Sequence, residues 1–533
     1  MTHHNDSYMP GAATVVFIAA AILLLPWLGE TMFNSKGEPR EAIVAVSMLQ
    51  GGNWLLPVNF GTDIPFKPPF LAWLIAIFAK LFNGGVVNEY ISRLPSALAA
   101  IAMVMAGYHW ASRVRGPRFA IIFSFVTLTC VEVFRAAVAC RLDMVLTACM
   151  VIAMYMLYDL GERKGRLRWL RYIGVVLLLS CATMTKGPVG TLLPCLIVGI
   201  YRLLRRDRFF AVVGKLVVIA VASLLIPAMW YYAAYLQGGR EFYDLMLEEN
   251  IGRLTGTMSY ESHVNPWYYN FMTLAAGLLP WTVLLVAALF GRRSVHRSPL
   301  SPAAVFSICA AVITVAFYCI PASKRSVYLL PAYPFICYGI ASLLDAREAT
   351  ARVVRFFAWF VAVLAVLVPV AVIVVQFVDI KGLRIEPIPW WRYVFVLAPV
   401  GVGIAWFVNR HSPVGHIAVT VWSLFLAYAT AVMPSVLNPN SNRAEARHIA
   451  EVAKDGDIIT LGTPRYYTLG FYLDDRIRQV PDVAAAATYP VGTVLLVPHD
   501  ADTTGLHQYY DYELLTKRGS DYRRPIGMAV KKR

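Results

Sequence analysis

Apolar stretches of about 18 residues or more recur along this chain from Gly11 to about Pro434, and no other feature limits its fold so tightly. A helix of that length crosses roughly 30 Å of hydrocarbon, and in lipid only helices and closed barrels satisfy their own backbone hydrogen bonds. Soluble cores cannot absorb this much apolar surface, since 58% of the 533 residues are hydrophobic and the mean hydropathy is +0.58. From about Asn438 the pattern changes to charged, loop-rich sequence with short apolar runs at Ile458 to Leu461 and Val494 to Val497. The expected architecture is a polytopic α-helical membrane domain over 1–437 and a small soluble α/β domain over 438–533. In the latter, helices are expected at 443–454 and 466–473 and strands at 457–461 and 493–497.

The net charge of +16 invites a nucleic-acid reading, but the Lys and Arg fall in short clusters between apolar spans rather than on one face. No nucleic-acid partner is expected. The clusters are Arg113/Arg115/Arg118, Arg163 to Arg171, Arg202 to Arg208, Arg292/Arg293/Arg297 and Arg347/Arg352/Arg355, and the positive-inside rule assigns them to the cytoplasm. They all fit there only if Phe70 to Phe82 does not cross. That run is short and follows Pro68 and Pro69, which suits an interfacial helix. About thirteen transmembrane helices then follow, at 12–29, 93–112, 119–138, 144–160, 171–185, 189–204, 211–230, 272–290, 302–320, 327–344, 355–378, 392–408 and 415–434. The N-terminus is expected in the cytoplasm and the C-terminal domain on the opposite side. Ala12 to Leu28 is read as the first span because no small-residue cleavage site follows it. The eight cysteines lie in or beside apolar spans, as buried small hydrophobes do.

This path places Glu38, Lys67, Asp143, Lys186, His263, Lys324 and Arg325 at or near the outer ends of helices. Ionisable groups at membrane depth are costly and mark function, so an outward-facing polar site is expected. Glu38 precedes Pro39 at the start of a helix, where a carboxylate serves as general base, organiser of basic groups or favourable helix-end charge. Lys67 is held extended by Pro68 and Pro69, either aimed at an anion or snorkelling. Asp143 after Arg141 is a catalytic candidate, or else a local ion pair or helix N-cap, and Lys186 a phosphate ligand or a helix C-terminal charge. His263, with Glu248, Glu249 and Glu261 in the same outer segment, is the candidate for a divalent ion, although no tight ligand spacing such as His-x-x-x-His is present. The surrounding Tyr and Trp suit an interfacial aromatic belt.

In order along the chain stand Glu38-Pro39-Arg40-Glu41-Ala42, Gly51-Gly52-Asn53-Trp54, Lys67-Pro68-Pro69, Arg93-Leu94-Pro95-Ser96, Arg141-Leu142-Asp143-Met144 and Thr185-Lys186-Gly187-Pro188. They continue with Glu248-Glu249-Asn250, Gly252-Arg253, His263, Pro266-Trp267-Tyr268-Tyr269, Leu279-Pro280-Trp281, Ser323-Lys324-Arg325 and Tyr328 to Pro334. The set resembles bacterial relatives of protein O-mannosyltransferases within the GT-C superfamily, and looks most like the aminoarabinose transferases that modify lipid A. The resemblance implies an inverting transfer of sugar from undecaprenyl phosphate to an envelope acceptor such as lipid A, at the periplasmic face of a bacterial inner membrane. It implies no required cofactor. Glu38 and Asp143 would be the catalytic carboxylates, Lys67, Lys186, Arg253, Lys324 and Arg325 the ligands of the donor phosphate, and Arg40, Glu41, Glu248, His263 and Tyr328 further substrate contacts. The chain departs from its relatives at Gly37, where they usually carry Asp, and at Phe66, where the aminoarabinose transferase often has Glu.

The expected partners are the lipid-linked sugar donor, a lipid or glycan acceptor and membrane lipids, with the chain a monomer. The competing function is a transporter or flippase of lipid-linked substrates. Against it, the charges sit at one face rather than at the midplane, and no inverted repeat is evident.

Overall fold

The computed structural model describes residues 11–33, 37–65, 67–162, 168–249, 264–290, 300–346, 351–378, 384–409, 412–462, 464–516 and 526–532. The chain forms two compact units, one of 1–28, 94–378 and 388–432 and the other of 29–93, 379–387 and 433–533.

The first unit is helical. Its elements are α1 (Ala12–Leu24), then, after α2 and α3 of the other unit, α4 (Glu89–Arg115, whose first turn belongs to the other unit), α5 (Pro117–Leu128), α6 (Val131–Ala137), α7 (Leu142–Glu162), α8 (Arg168–Lys186) and α9 (Val189–Leu204). They continue with α10 (Phe209–Leu247), α11 (Tyr269–Gly277), α12 (Trp281–Phe290), α13 (Pro302–Cys319), a 3-10 turn at Ser326–Ala332, α14 (Tyr333–Asp345), α15 (Ala351–Val375), α16 (Tyr393–Asn409) and α17 (Pro413–Ala427). Among the described residues eight helices are long and apolar enough to cross a membrane, and ten if each bent pair counts as one span. Ten of the thirteen expected spans fall on these helices and pairs, and the stretches 12–29, 171–185 and 189–204 fall on α1, α8 and α9, which are outside that count. The bends are sharp, 71° between α5 and α6 and 106° between α11 and α12. The second falls at Leu278 to Pro280, where proline cannot continue the backbone ladder.

Burial separates central from peripheral helices. In α7, 78% of the apolar window is buried, against 17% in α10, whose apolar side chains are left for lipid. The centre holds Trp110, fully buried, stacked on Tyr155 at 4.8 Å between ring centres and flanked by Phe306 and Tyr338. Between α8 and α9 the backbones approach closely at Gly190, where a Cβ would lie 2.5 Å from the Ala182 carbonyl carbon. Small residues at such contacts are how membrane helices pack tightly.

The second unit holds α2 (Pro39–Gly51), α3 (Phe70–Phe82) and the C-terminal segment with α18 (Met433–Leu437), α19 (Arg443–Ala453), α20 (Tyr467–Tyr472) and α21 (Val483–Ala486). Its strands are β1 (Ile458–Leu461), β2 (Ile477–Val480), β3 (Val494–Pro498), β4 (Tyr510–Thr516) and β5 (Ile526–Lys531). They form one sheet in the order β2-β1-β3-β5-β4, with β2, β1 and β3 parallel and β5 antiparallel to β3 and β4. This is the small sheet domain expected from the sequence. Alternate residues serve opposite faces: Ile458, Val494 and Leu496 pack under α19 and α20, and Ile459, Leu495 and Val497 under α21.

The first of those cores also contains Ile43 from α2 and Phe60, 0% and 1% exposed. The compact division is therefore less simple than a cut at 437. Asp475 fixes the same junction, accepting from the Phe60 amide at 2.8 Å and from Ser47 Oγ at 2.9 Å. Helix α3 has 13 residues, about 20 Å at the usual helical rise, which is short of a bilayer core.

Candidate functional site

Two groups of charged residues collect within the units, one in each. In the second unit Glu38 is the N-cap residue of α2, with Pro39 at the first helical position. Both its carboxylate oxygens accept from Arg93, Oε1 from Nε at 2.8 Å and Oε2 from Nη2 at 3.1 Å. The remaining Arg93 nitrogen donates to the Thr31 carbonyl at 2.6 Å and to Thr31 Oγ1 at 2.8 Å, and the guanidinium lies 4.9 Å from the Phe33 ring centre. Arg93 is 2% exposed, so its charge depends on this bidentate pair.

One helical turn on, Glu41 accepts from Arg40 at 2.7 and 3.2 Å and from Lys67 Nζ at 3.0 Å. Burial pushes the Glu41 carboxyl upward, but Lys67 and Arg40 more than offset it and hold the group at about 2. Lys67 is thus close to Glu41. Phe66, the neighbouring departure from the relatives, lies outside the described residues.

In the first unit Asp143 lies in the first turn of α7 and Lys186 ends α8. Gly187 then takes φ +86°, the left-handed conformation that ends helices and that only glycine adopts freely. Lys186 Nζ donates to Asp143 Oδ1 and stands 4.1 Å from the centre of the Tyr328 ring. Tyr328 belongs to the 3-10 turn, which α6, α7, α11 and α13 all contact. On α6, Arg135 makes a two-pronged pair with Glu132 and reaches Ser326 Oγ at 3.2 Å.

Lys324 is 6% exposed and gives its ammonium to the Pro321 carbonyl at 2.9 Å. Arg325 is half-buried, and its side chain has no hydrogen-bond or ion-pair partner among the described residues. Glu248 stands at the end of α10. Arg253 and His263 lie outside the described residues. Among the described residues no three His, Cys, Asp or Glu gather as metal ligands would. The structure thus brings Glu41, Arg40 and Lys67 together, and separately Asp143, Lys186 and Tyr328.

Sequence reasoning passed over three participants. Arg93 stands only as part of a motif, although an arginine at the mouth of an apolar span needs a counter-charge. Glu132 and Arg135 interrupt the run 119–138, and an acid inside an apolar span is the signal that would have found them.

A family description, dolichyl-phosphate-mannose-protein mannosyltransferase, matches residues 66–232. The chain is 29% identical over 367 residues to an uncharacterised protein of Aquifex aeolicus, covering 66% of this chain and 68% of that one. It is 27% identical over 324 residues to the undecaprenyl phosphate-alpha-4-amino-4-deoxy-L-arabinose arabinosyl transferase of Pseudomonas aeruginosa, covering 60% of this chain. The match spans 57% of that transferase's own length. The crystal structure of ArnT from Cupriavidus metallidurans bound to undecaprenyl phosphate superposes with a TM-score of 0.76 at 21% identity, over 98% of both chains.

Helical spans, a small mixed sheet and ion pairs at helix ends define a multi-pass membrane protein of the GT-C fold. The chain is similar to the dolichyl-phosphate-mannose-protein mannosyltransferase family over residues 66–232, and over 60% of its length to an undecaprenyl phosphate-alpha-4-amino-4-deoxy-L-arabinose arabinosyl transferase.

Proposed function

We propose that the chain is an inverting transferase that moves a sugar from undecaprenyl phosphate to an envelope acceptor such as lipid A, on the periplasmic face of the inner membrane. The N-terminus would be cytoplasmic and the sheet-bearing segment periplasmic. The observation that carries the reading is the ion pair of Asp143 and Lys186, held largely out of water at helix ends with the Tyr328 ring against the lysine ammonium. The names of the relatives support the substrate class.

In this reaction the acceptor oxygen bonds to the anomeric carbon while the bond from that carbon to the phosphate oxygen breaks. The electron pair leaves on undecaprenyl phosphate, so charge grows there and cations lower the barrier. Lys186, Lys324, Arg325, Lys67 and Arg253 are the proposed cations. Asp143 is the proposed carboxylate of the first unit, and Glu38, with both oxygens on Arg93, carries the same proposal in the second. An ion-paired carboxylate stays ionised, which suits it to balance positive charge developing on the sugar ring. A hydroxyl acceptor would pass its proton to a carboxylate; an already ionised phosphate acceptor needs no base. Arg40, Glu41, Glu248, His263 and Tyr328 are proposed substrate contacts. The reaction as written uses no metal, so EDTA leaves turnover unchanged; a loss restored by Mg2+ would instead give His263 a ligand role.

The test is release of undecaprenyl phosphate from a lipid-linked sugar by the purified chain in the presence of lipid A. Asp143→Asn is expected to lose about 100-fold or more. Full activity in Glu38→Gln, Asp143→Asn and Lys67→Ala together removes these residues from the reaction. If the donor crosses vesicle membranes intact and no glycosidic bond is ever cleaved, the chain is a flippase.

A further inference from the structure

On α5, Arg118, Ile121, Ile122, Phe125 and Val126 follow the i, i+3, i+4, i+7, i+8 spacing of a single helix face. That face lines an open cleft of about 810 Å³ in the first unit, shared with α1, α12, α14, α15 and α17. From Arg118 to Val126 the helix rises about 12 Å. Along that length the lining changes character. At one end stand Arg118 in the first turn of α5, Arg355 near the start of α15 and Ser412 at the N-cap of α17. The opposite wall is apolar, with Phe125, Val126 and the buried ring of Trp281.

Among the described residues the charged end is short of acid. Asp345 is 3.2 Å from Arg115 and 3.7 Å from Arg118. Arg355 is exposed, with only a 3.3 Å contact from its Nε to the Ala351 carbonyl and no acidic partner among the described residues. Among the described residues three arginines stand against one aspartate, an excess of two positive charges. Helices α5, α15 and α17 all begin here, and their N-terminal dipole ends add to the same sign. An apolar cleft open to the side of a membrane bundle accepts an acyl chain, and a cationic rim at its end selects the head group.

We propose that this cleft binds an anionic glycerophospholipid, its acyl chain along α5 and its phosphate between Arg118 and Arg355. A zwitterionic lipid brings its own ammonium to the arginines and is disfavoured. The site is separate from the charged groups of the proposed transfer reaction and does not depend on that reading.

The test uses the full chain in detergent, equilibrated with equal amounts of phosphatidylglycerol and phosphatidylcholine, with bound lipid counted by native mass spectrometry. The wild type is expected to retain phosphatidylglycerol with at least about tenfold preference. Arg355→Gln, at an exposed position that leaves the fold intact, lowers that preference several-fold, and adding Arg118→Gln abolishes it. Arg352→Gln, on the exposed surface nearby but outside the cleft, leaves it unchanged. Equal retention of the two lipids by the wild type overturns the proposal, as does an undiminished preference in the double variant. Displacement of phosphatidylglycerol by equimolar undecaprenyl phosphate, with the same arginine dependence, also overturns it, because the cleft would then hold the polyprenyl lipid.

Discussion

A carboxylate that accepts hydrogen bonds from two cations ties its ionisation to the fold. Glu41 ordinarily titrates near 4.5 and in the folded chain near 2, because Lys67 and Arg40 outweigh the effect of burial. A folded value below the unfolded one means a contribution fully present above pH 4.5 and lost as the pH falls from there through 2. Glu41→Gln is therefore expected to cost about 2–3 kcal/mol at pH 6. The gap between the two thermal midpoints should narrow as the pH is lowered to 3. Coincident midpoints at pH 6 would contradict this. Arg93 presents the stronger case, since its loss takes a two-pronged cationic partner from the Glu38 carboxylate. Arg93→Met should destabilise by about 3–5 kcal/mol in chemical unfolding, and Arg93→Lys should recover only part, because lysine cannot supply the two-pronged contact. Glu38 was legible as the start of a helix because Glu-Pro is a local signal. Its partner 55 residues away was not, because side-chain pairing across the chain leaves no periodic trace.

At the level of elements, hydropathy showed where helices run but not where they break. The stretches 119–138 and 272–290 read as single spans, yet each holds a bent pair. Pro280 marks one bend; Thr129 and Cys130 mark the other, with no helix breaker there and only the charged Glu132 and Arg135 just beyond to interrupt the run. Close approach is equally silent in the sequence. Gly190 looks like any helical glycine, but a methyl there meets the Ala182 backbone, which cannot swing aside. Gly190→Ala is expected to destabilise by about 1–3 kcal/mol by forcing α8 and α9 apart, and to disturb Lys186 at the end of α8. Gly214→Ala on α10, where a Cβ meets nothing within 4 Å, should instead gain roughly 0.5–1 kcal/mol from helix propensity. The comparison reads local crowding directly, because both sites lie in helices and both changes add one methyl. Equal effects at the two positions would show that crowding is not what Gly190 relieves.

Across the whole molecule, the change from apolar to mixed sequence near Asn438 announced the sheet, and β1, β3, α19 and α20 appear where short apolar runs placed them, while β2, β4, β5 and α21 went unread. What the sequence could not announce is that the sheet's core is completed from the far end of the chain. Ile43 and Phe60 press on Gly470 so closely that a Cβ there would lie 2.8 Å from Ile43 Cδ1 and 2.7 Å from Phe60 Cε1. Asp475 meanwhile holds the Phe60 amide and the Ser47 hydroxyl, and burial raises its carboxyl above the usual range while those hydrogen bonds oppose the rise. A fragment of residues 438–533 therefore lacks two fully buried side chains and leaves Asp475 without its donors. It should bind a dye for exposed apolar surface and lack the near-ultraviolet dichroism of fixed aromatic packing. In the intact chain, Phe60→Ala should cost about 3–5 kcal/mol and raise amide exchange in β1 and β3. A fragment that folds cooperatively by itself, with β1 and β3 protected as in the full chain, would show that Ile43 and Phe60 only decorate a sheet already complete.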